Sequence, residues 1–204
     1  CKNDVITTEE VFENRIQDFI AREILADISG LTVNHSTQSH AEKIIFGDDR
    51  RPQDKFEYTD LSTIFPGYEF KDGKSSYLGE DPKEGGYVYA EPGIYTNVAL
   101  LDIASMHPTS AIELNIFGPY TKNYEDLKRA RLYIKHKEFD KAKEMYDGKL
   151  SKYLVSEEQS DQLSYALKIV INIVYGMTSA PFPNKFKDPN NIDNIVAKRG
   201  SLFM

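Results

Sequence analysis

Cysteine is almost missing from this chain of 204 residues: Cys1 is the only one. A single thiol can close no internal disulfide and build no cysteine zinc site, which favours a reducing compartment over secretion. Long apolar runs are missing too. No uncharged stretch approaches the ~18 residues that a membrane helix needs, and the start lacks a secretory-signal pattern. The expectation is therefore no membrane partner and a cytoplasmic location. Internal repeats and low-complexity tracts are also absent, which argues against a stacked-repeat architecture. Positive charge is in deficit, with 25 Lys and Arg against 32 Asp and Glu and a net charge of -7. The total charge alone does not point to a nucleic-acid binder, although the average hides local structure. What it does have, 40% hydrophobic and 28% charged residues, supports a sizeable core and excludes a wholly disordered tail. A start at Cys1 and a finish on Leu202-Phe203-Met204 lead to the expectation of a fragment.

The opening stretch predicts one long amphipathic helix. Thr7 and Glu10 have capping-box spacing, Phe12, Ile16, Phe19, Ile20 and Ile24 recur with a helical rhythm, and Gly30 is a natural stop. Residues 31–84 are rich in Ser, Thr, Asp, Gly and Pro and predict short strands and turns, with Ile44-Ile45-Phe46 among the apolar pieces. From Gly85 two strands are expected, Gly85–Ala90 and Val98–Leu101, joined by a turn around Pro92-Gly93. The second run is apolar at consecutive positions, the pattern of a strand buried on both faces, and it ends in Asp102. Two helices follow, over 124–147 and 156–176, and Ser156 and Gln159 mark the start of the second. A short linker between them predicts an antiparallel hairpin. Thr121 to Lys152 holds ten Lys or Arg against six Asp or Glu, a local excess of four positive charges inside an acidic chain. Past residue 178, Pro181, Pro183 and Pro189 predict a loop running to the apolar end.

Lys168, Asn172 and Tyr175 are the first chemical candidates. At about 100° per residue they fall within a stripe roughly 60° wide. A cation, an amide and a phenol on one face, followed by Gly176, suit a phosphate together with a flat base. The same triplet also occurs on ordinary solvated helix faces.

The strand end adds Asp102-Ile103-Ala104-Ser105-Met106-His107-Pro108-Thr109-Ser110. This segment resembles the first polymerase motif of family B DNA polymerases: an aspartate, two variable residues, Ser, an apolar residue, an aromatic ring, then Pro and Ser or Thr. Lys168-x-x-x-Asn172-x-x-Tyr175-Gly176 is similar to the same family's second motif, on the fingers. The two stand in the family's order with a helical hairpin between them. The short interval from Asp102 to Lys168 resembles the compact fingers of phage-type members. Asp4 admits two readings, the acid of the third exonuclease motif or an ordinary acid leading a helix.

The resemblance implies an α+β fold: a partial palm sheet and an antiparallel two-helix fingers hairpin, preceded by a long amphipathic helix. It divides the chain into an exonuclease end and connecting helix (1–30), a connecting region (31–84), the N-terminal palm (85–120), the fingers (121–178) and a return toward the palm (179–204). It implies template-directed DNA synthesis from deoxynucleoside triphosphates with two Mg²⁺ ions, with primer-template DNA and the remainder of a polymerase chain as partners. Asp102 and the Ile103 carbonyl would hold metal. Backbone near Ser105 and Met106, with Arg131, Lys135 and Lys168, would hold triphosphate, and Lys168 would also neutralise the leaving pyrophosphate. Asn172 and Tyr175 would line the pocket of the new base pair. His107 stands where the family usually has Tyr, the ring that excludes a 2′-hydroxyl, and Ile173 replaces the family's Ser. The second palm acid of the family does not occur in the chain, so the piece by itself is expected to be inactive. Two alternatives remain from the residues: a non-catalytic nucleotide-binding relic of a polymerase, and a helical peptide-binding module suggested by Ala130–Ala142.

Overall fold

A computed structural model describes residues 2–57, 59–84, 90–100, 105–188 and 194–203. Among them the chain is mostly helical with one small antiparallel sheet, an α+β composition in coarse terms. The helices are α1 (Lys2–Asn14), α2 (Ile16–Ser29), α3 (Thr37–Phe46), α4 (Met106–Glu113), α5 (Thr121–Lys135), α6 (Phe139–Lys143), α7 (Glu157–Thr178) and α8 (Ile195–Phe203). Strands β1 (Tyr68–Lys71) and β2 (Lys74–Tyr77) pair as a hairpin, with Tyr68 opposite Tyr77.

The longest helix, α7, organises the rest. Ser156 caps it, its hydroxyl accepting from the Gln159 N–H at 3.2 Å, which satisfies a donor that the first turn leaves over. Leu163, Ala166, Leu167, Val170, Ile171, Val174 and Met177 are buried along it, spaced three and four apart, so a single face enters the core. Helices α2, α3 and α5 all pack on α7, bringing Ile24, Leu25 and Ile28, then Ala41, Ile45 and Phe46, then Tyr124, Leu127, Ala130 and Ile134. Each large side chain withdrawn from water contributes about 1.5–3 kcal/mol.

Helices α5 and α7 run antiparallel. Tyr124, near the start of α5, donates its hydroxyl to the Ile171 carbonyl at 3.0 Å, and beyond the far end of α5, Lys137 pairs with Glu157 at 3.1 Å. The connection is not the short linker expected. Helix α5 stops at Lys135, and 136–156 hold α6 and two 3-10 turns. Tyr146 and Asp147 there have φ of 53° and 57°, which an α-helix running to residue 147 cannot accommodate.

Several other expectations are corrected. The first helix is two: α1 begins at Lys2, so Thr7 lies inside it and caps nothing, and the chain breaks at Arg15 (φ -123°, ψ 25°) before α2. Gly30 does end α2, in the left-handed region at φ 74°. Phe12, Ile16 and Phe19 are exposed while Ala21, Ile24 and Leu25 are buried, because the covered part of α2, which packs on α3 and α7, runs from Ala21 to Ser29. Ile44-Ile45-Phe46 belongs to helix α3, capped by Ser36, whose hydroxyl accepts from the Ser39 N–H at 3.1 Å. Of the apolar end, Leu202 and Phe203 belong to helix α8, where a loop was expected to lead.

The expected strands are also revised. Val98, Ala99 and Leu100 form no strand, and Val98 and Leu100 are 74% and 93% exposed. A strand needs a ladder partner, and among the described residues the only named sheet is β1–β2. Leu101 and Asp102, like 85–89 of the first expected strand, lie outside the described residues.

An aromatic cluster locks the chain before α5 onto α3. Phe46 lies 5.0–5.9 Å, ring to ring, from Phe56, Phe117, Tyr120 and Phe186. Gly118, at φ 53°, lets this chain pass the backbone of Lys55, where an added Cβ would stand 2.3 Å from the Lys55 carbonyl oxygen. Both the backbone angle and the contact exclude a side chain. Gly118→Ala is expected to cost about 2–4 kcal/mol, read as a lower midpoint in urea denaturation; an unchanged midpoint would refute this account of the close approach.

Candidate functional site

Burial of one face of α7 decides where its other face points. Lys168 and Asn172 are exposed, and Tyr175 is half-buried beside them. Helix α4 lies across this region, packed on α5, α7 and α8. Ser105 precedes α4 in a left-handed conformation (φ 55°, ψ 52°), an uncommon angle for a residue with a side chain. The first ladder bond runs from Thr109 N–H to the Ser105 carbonyl at 3.0 Å. Pro108 brings no N–H, so the first-turn donors outside the ladder are those of Met106 and His107.

Two contacts tie α4 to the hairpin. The His107 ring stacks on Tyr175 with centroids 3.9 Å apart and planes 7° from parallel. Among the described residues His107 Nδ1 is buried with no hydrogen-bond partner, and burial pushes the imidazole pKa below its ordinary value. On the other wall, Lys128 of α5 donates from Nζ to the Thr109 hydroxyl at 2.7 Å. Burial likewise pulls the Lys128 ammonium pKa down, against the attraction of Glu113 and Glu125.

Lys128, Arg131 and Lys135 fall within a stripe of roughly 60° on α5 at about 100° per residue. Arg131 is half-buried, and its Nε is buried without a partner among the described residues. Lys135 is exposed and lines a cavity of about 470 Å³ with Ser156, Glu157 and Asp161 at the tip of the hairpin.

The expected site residues are therefore distributed as follows. Ser105, Met106 and His107 open α4, and His107 meets Tyr175 directly. Lys168 and Asn172 share the exposed side of α7 next to that stack. Arg131 lies one turn beyond Lys128, and Lys135 belongs to the tip. Asp4 is exposed on α1, a helix that packs on α2. Asp102 and Ile103 lie outside the described residues. Among the described residues no group of three or more His, Cys, Asp or Glu side chains gathers as a metal site. Also among them, no helix is long and apolar enough to cross a membrane. Sequence reasoning passed over Lys128 and gave Thr109 no role; the helical phase shared with Arg131 and Lys135 was the available signal.

Comparisons of the chain with models of known families, with curated proteins and with solved structures found no match.

The half-buried His107 imidazole makes the α4 contact sensitive to acid. A histidine whose folded pKa lies below its ordinary 6.5 contributes stability that is complete above that value and drains as pH falls through the folded value, since the unfolded chain takes the proton first. His40, buried and hydrogen-bonded through Nδ1 to the Ser29 hydroxyl, is shifted in the same direction by burial. Carboxylates contribute mainly below about pH 5. Tm should therefore fall between about pH 7 and pH 5. His107→Phe, which keeps a ring on Tyr175, should make that slope shallower, with His40 supplying the remainder. Equal slopes for the two proteins would show that His107 does not titrate in this window.

Proposed function

We propose that this chain is the part of a phage-type family B DNA polymerase running from the exonuclease exit through the first palm motif and the fingers, and that it serves template-directed DNA synthesis. In this reading α5 and α7 are the fingers hairpin, and α4 carries the residues that follow the first palm motif. The observation that carries the reading is the His107–Tyr175 stack. It sets the ring of one motif face to face with the ring of the other, although 67 positions separate them in the chain. Two motifs that shared the chain only by accident would have no reason to meet through those side chains.

Each residue then has a role set by its chemistry. Lys168, exposed on α7, neutralises the triphosphate as a point charge and stabilises the departing pyrophosphate. Arg131 contacts the same phosphates through its planar fork, with Lys135 adding charge from the hairpin tip. The α4 first-turn N–H groups favour anionic oxygen. Asn172 and Tyr175 flank the base pair, and the flat His107 ring beneath them limits room at the sugar's 2′ position. Asp102 and the Ile103 carbonyl, together with an acid from the remainder of the polymerase, would hold Mg²⁺ ions, which would supply Lewis-acid stabilisation. A DNA polymerase of this kind would work in the cytoplasm of its host cell.

Three measurements test this. A fluorescent deoxynucleoside triphosphate should bind the chain, and Lys168→Gln should weaken it about tenfold or more, the loss expected for one charge-assisted hydrogen bond. In the complete polymerase, Asp102→Asn should abolish primer extension while leaving the thermal midpoint nearly unchanged. Near-normal extension by that variant would defeat the reading. In the same enzyme His107→Ala should raise incorporation of ribonucleotides relative to deoxyribonucleotides, and an unchanged ratio would remove His107 from the sugar-selecting role.

A further inference from the structure

Helix α4 presents a second face, to α8. Met106, Thr109 and Glu113 recur at i, i+3 and i+7, a stripe about 60° wide from which His107 lies roughly 100° or more round the helix. Together with Arg199, Gly200 and Phe203 of α8 they line a cavity of about 300 Å³. Gly200 lets the two helices close at this point, since an added Cβ would stand 3.0 Å from the Met106 sulfur. Beyond that contact the helices leave space.

Arg199 gives the cavity its chemistry. It is half-buried, and its Nε is buried with no acceptor among the described residues. None of their carboxylates lies within 4.0 Å of its guanidinium, whereas the neighbouring Lys198 holds Asp81 at 2.6 Å. A guanidinium carries five N–H donors and no acceptor. A buried donor left unpaired costs free energy that an incoming acceptor restores. Beside this cation the walls are apolar. Phe203 is 64% exposed, and Met106 offers a flexible, polarisable thioether that adapts to the shape of a neighbour.

From this arrangement we infer that the α4–α8 cavity binds a small monocarboxylate with an apolar body, the carboxylate on Arg199 and the body between Met106 and Phe203. A carboxylate matches the planar guanidinium fork with two parallel hydrogen bonds. A polyanion does not fit: one cation cannot balance it, and the Glu113 carboxylate on the same wall repels it. A volume near the lower end for ligand pockets suits a small molecule and is too tight for a nucleotide. The site takes no part in the proposed nucleotide chemistry, which uses His107 and the hairpin, and it stands or falls independently of that reading.

Phenylacetate is the probe, titrated into the chain by calorimetry beside acetate, benzyl alcohol and inorganic pyrophosphate. One saturable site is expected for phenylacetate. Acetate lacks the ring and benzyl alcohol lacks the charge, so each should bind about tenfold more weakly or worse. Arg199→Gln should weaken phenylacetate about tenfold or more. Arg199→Lys should recover only part of that loss, because an ammonium has no planar fork. No saturation by about 10 mM, the weak limit for a ligand of some ten non-hydrogen atoms, overturns the site. So does equal affinity for the chain and Arg199→Gln, or displacement of phenylacetate by pyrophosphate. Hydrogen exchange on the unaltered chain needs no variant: phenylacetate should protect amides within 106–113 and 199–203, and protection confined elsewhere refutes the assignment.

Discussion

The rest of the structure depends on how α7 is buried. Helices α2, α3 and α5 close over one face of it, and the apolar side chains from Leu163 to Met177 fill the space between them. With 3.6 residues per turn, that burial leaves a single orientation for the remaining positions. Lys168 and Asn172 have to face out, and Tyr175 has to sit at the boundary. The chemistry of that stripe follows from the core, since a rotation that hid Lys168 would expose the leucines and valines.

Helix α4 adds the second layer. It is too short to be stable alone, and it is kept in place by packing on α5, α7 and α8. Its own polar and aromatic groups set its register on the hairpin: His107 against Tyr175 on one side and Thr109 under Lys128 on the other. Both contacts involve ionisable side chains removed from water, and burial moves both toward the neutral form. An ordinary structural interface would use apolar residues there, which cost nothing to desolvate. Retaining an imidazole, an ammonium and a guanidinium at this junction is the physical reason to regard it as a site.

How much could be read beforehand differs by element. The start of α7 is legible because the Ser156 hydroxyl accepts from the Gln159 N–H within the same turn, and the end of α2 because Gly30 takes a left-handed angle there. Helix α3 was missed because its apolar part, Ile44-Ile45-Phe46, is short and has no period that separates strand from helix. The run Val98-Ala99-Leu100-Leu101 has the pattern of a buried strand, yet burial of a strand depends on neighbours that no local pattern supplies. The long helix expected through residue 147 failed at Tyr146 and Asp147, whose left-handed angles answer to packing and carry no strong residue signature.

The sequence by itself determined which residues share a face. Helical phase is a local property, so the stripe Lys168, Asn172, Tyr175 and the stripe Lys128, Arg131, Lys135 follow from spacing alone once a helix forms. Only the tertiary structure decided what each stripe meets. That His107 lands on Tyr175, that Thr109 receives Lys128, and that Arg131 Nε is shut in while Lys135 stays in water depend on how α4 packs at once on α5, the next helix, and on α7, far from it in the chain. Such contacts arise from the summed packing of the whole core, which no short window of residues contains.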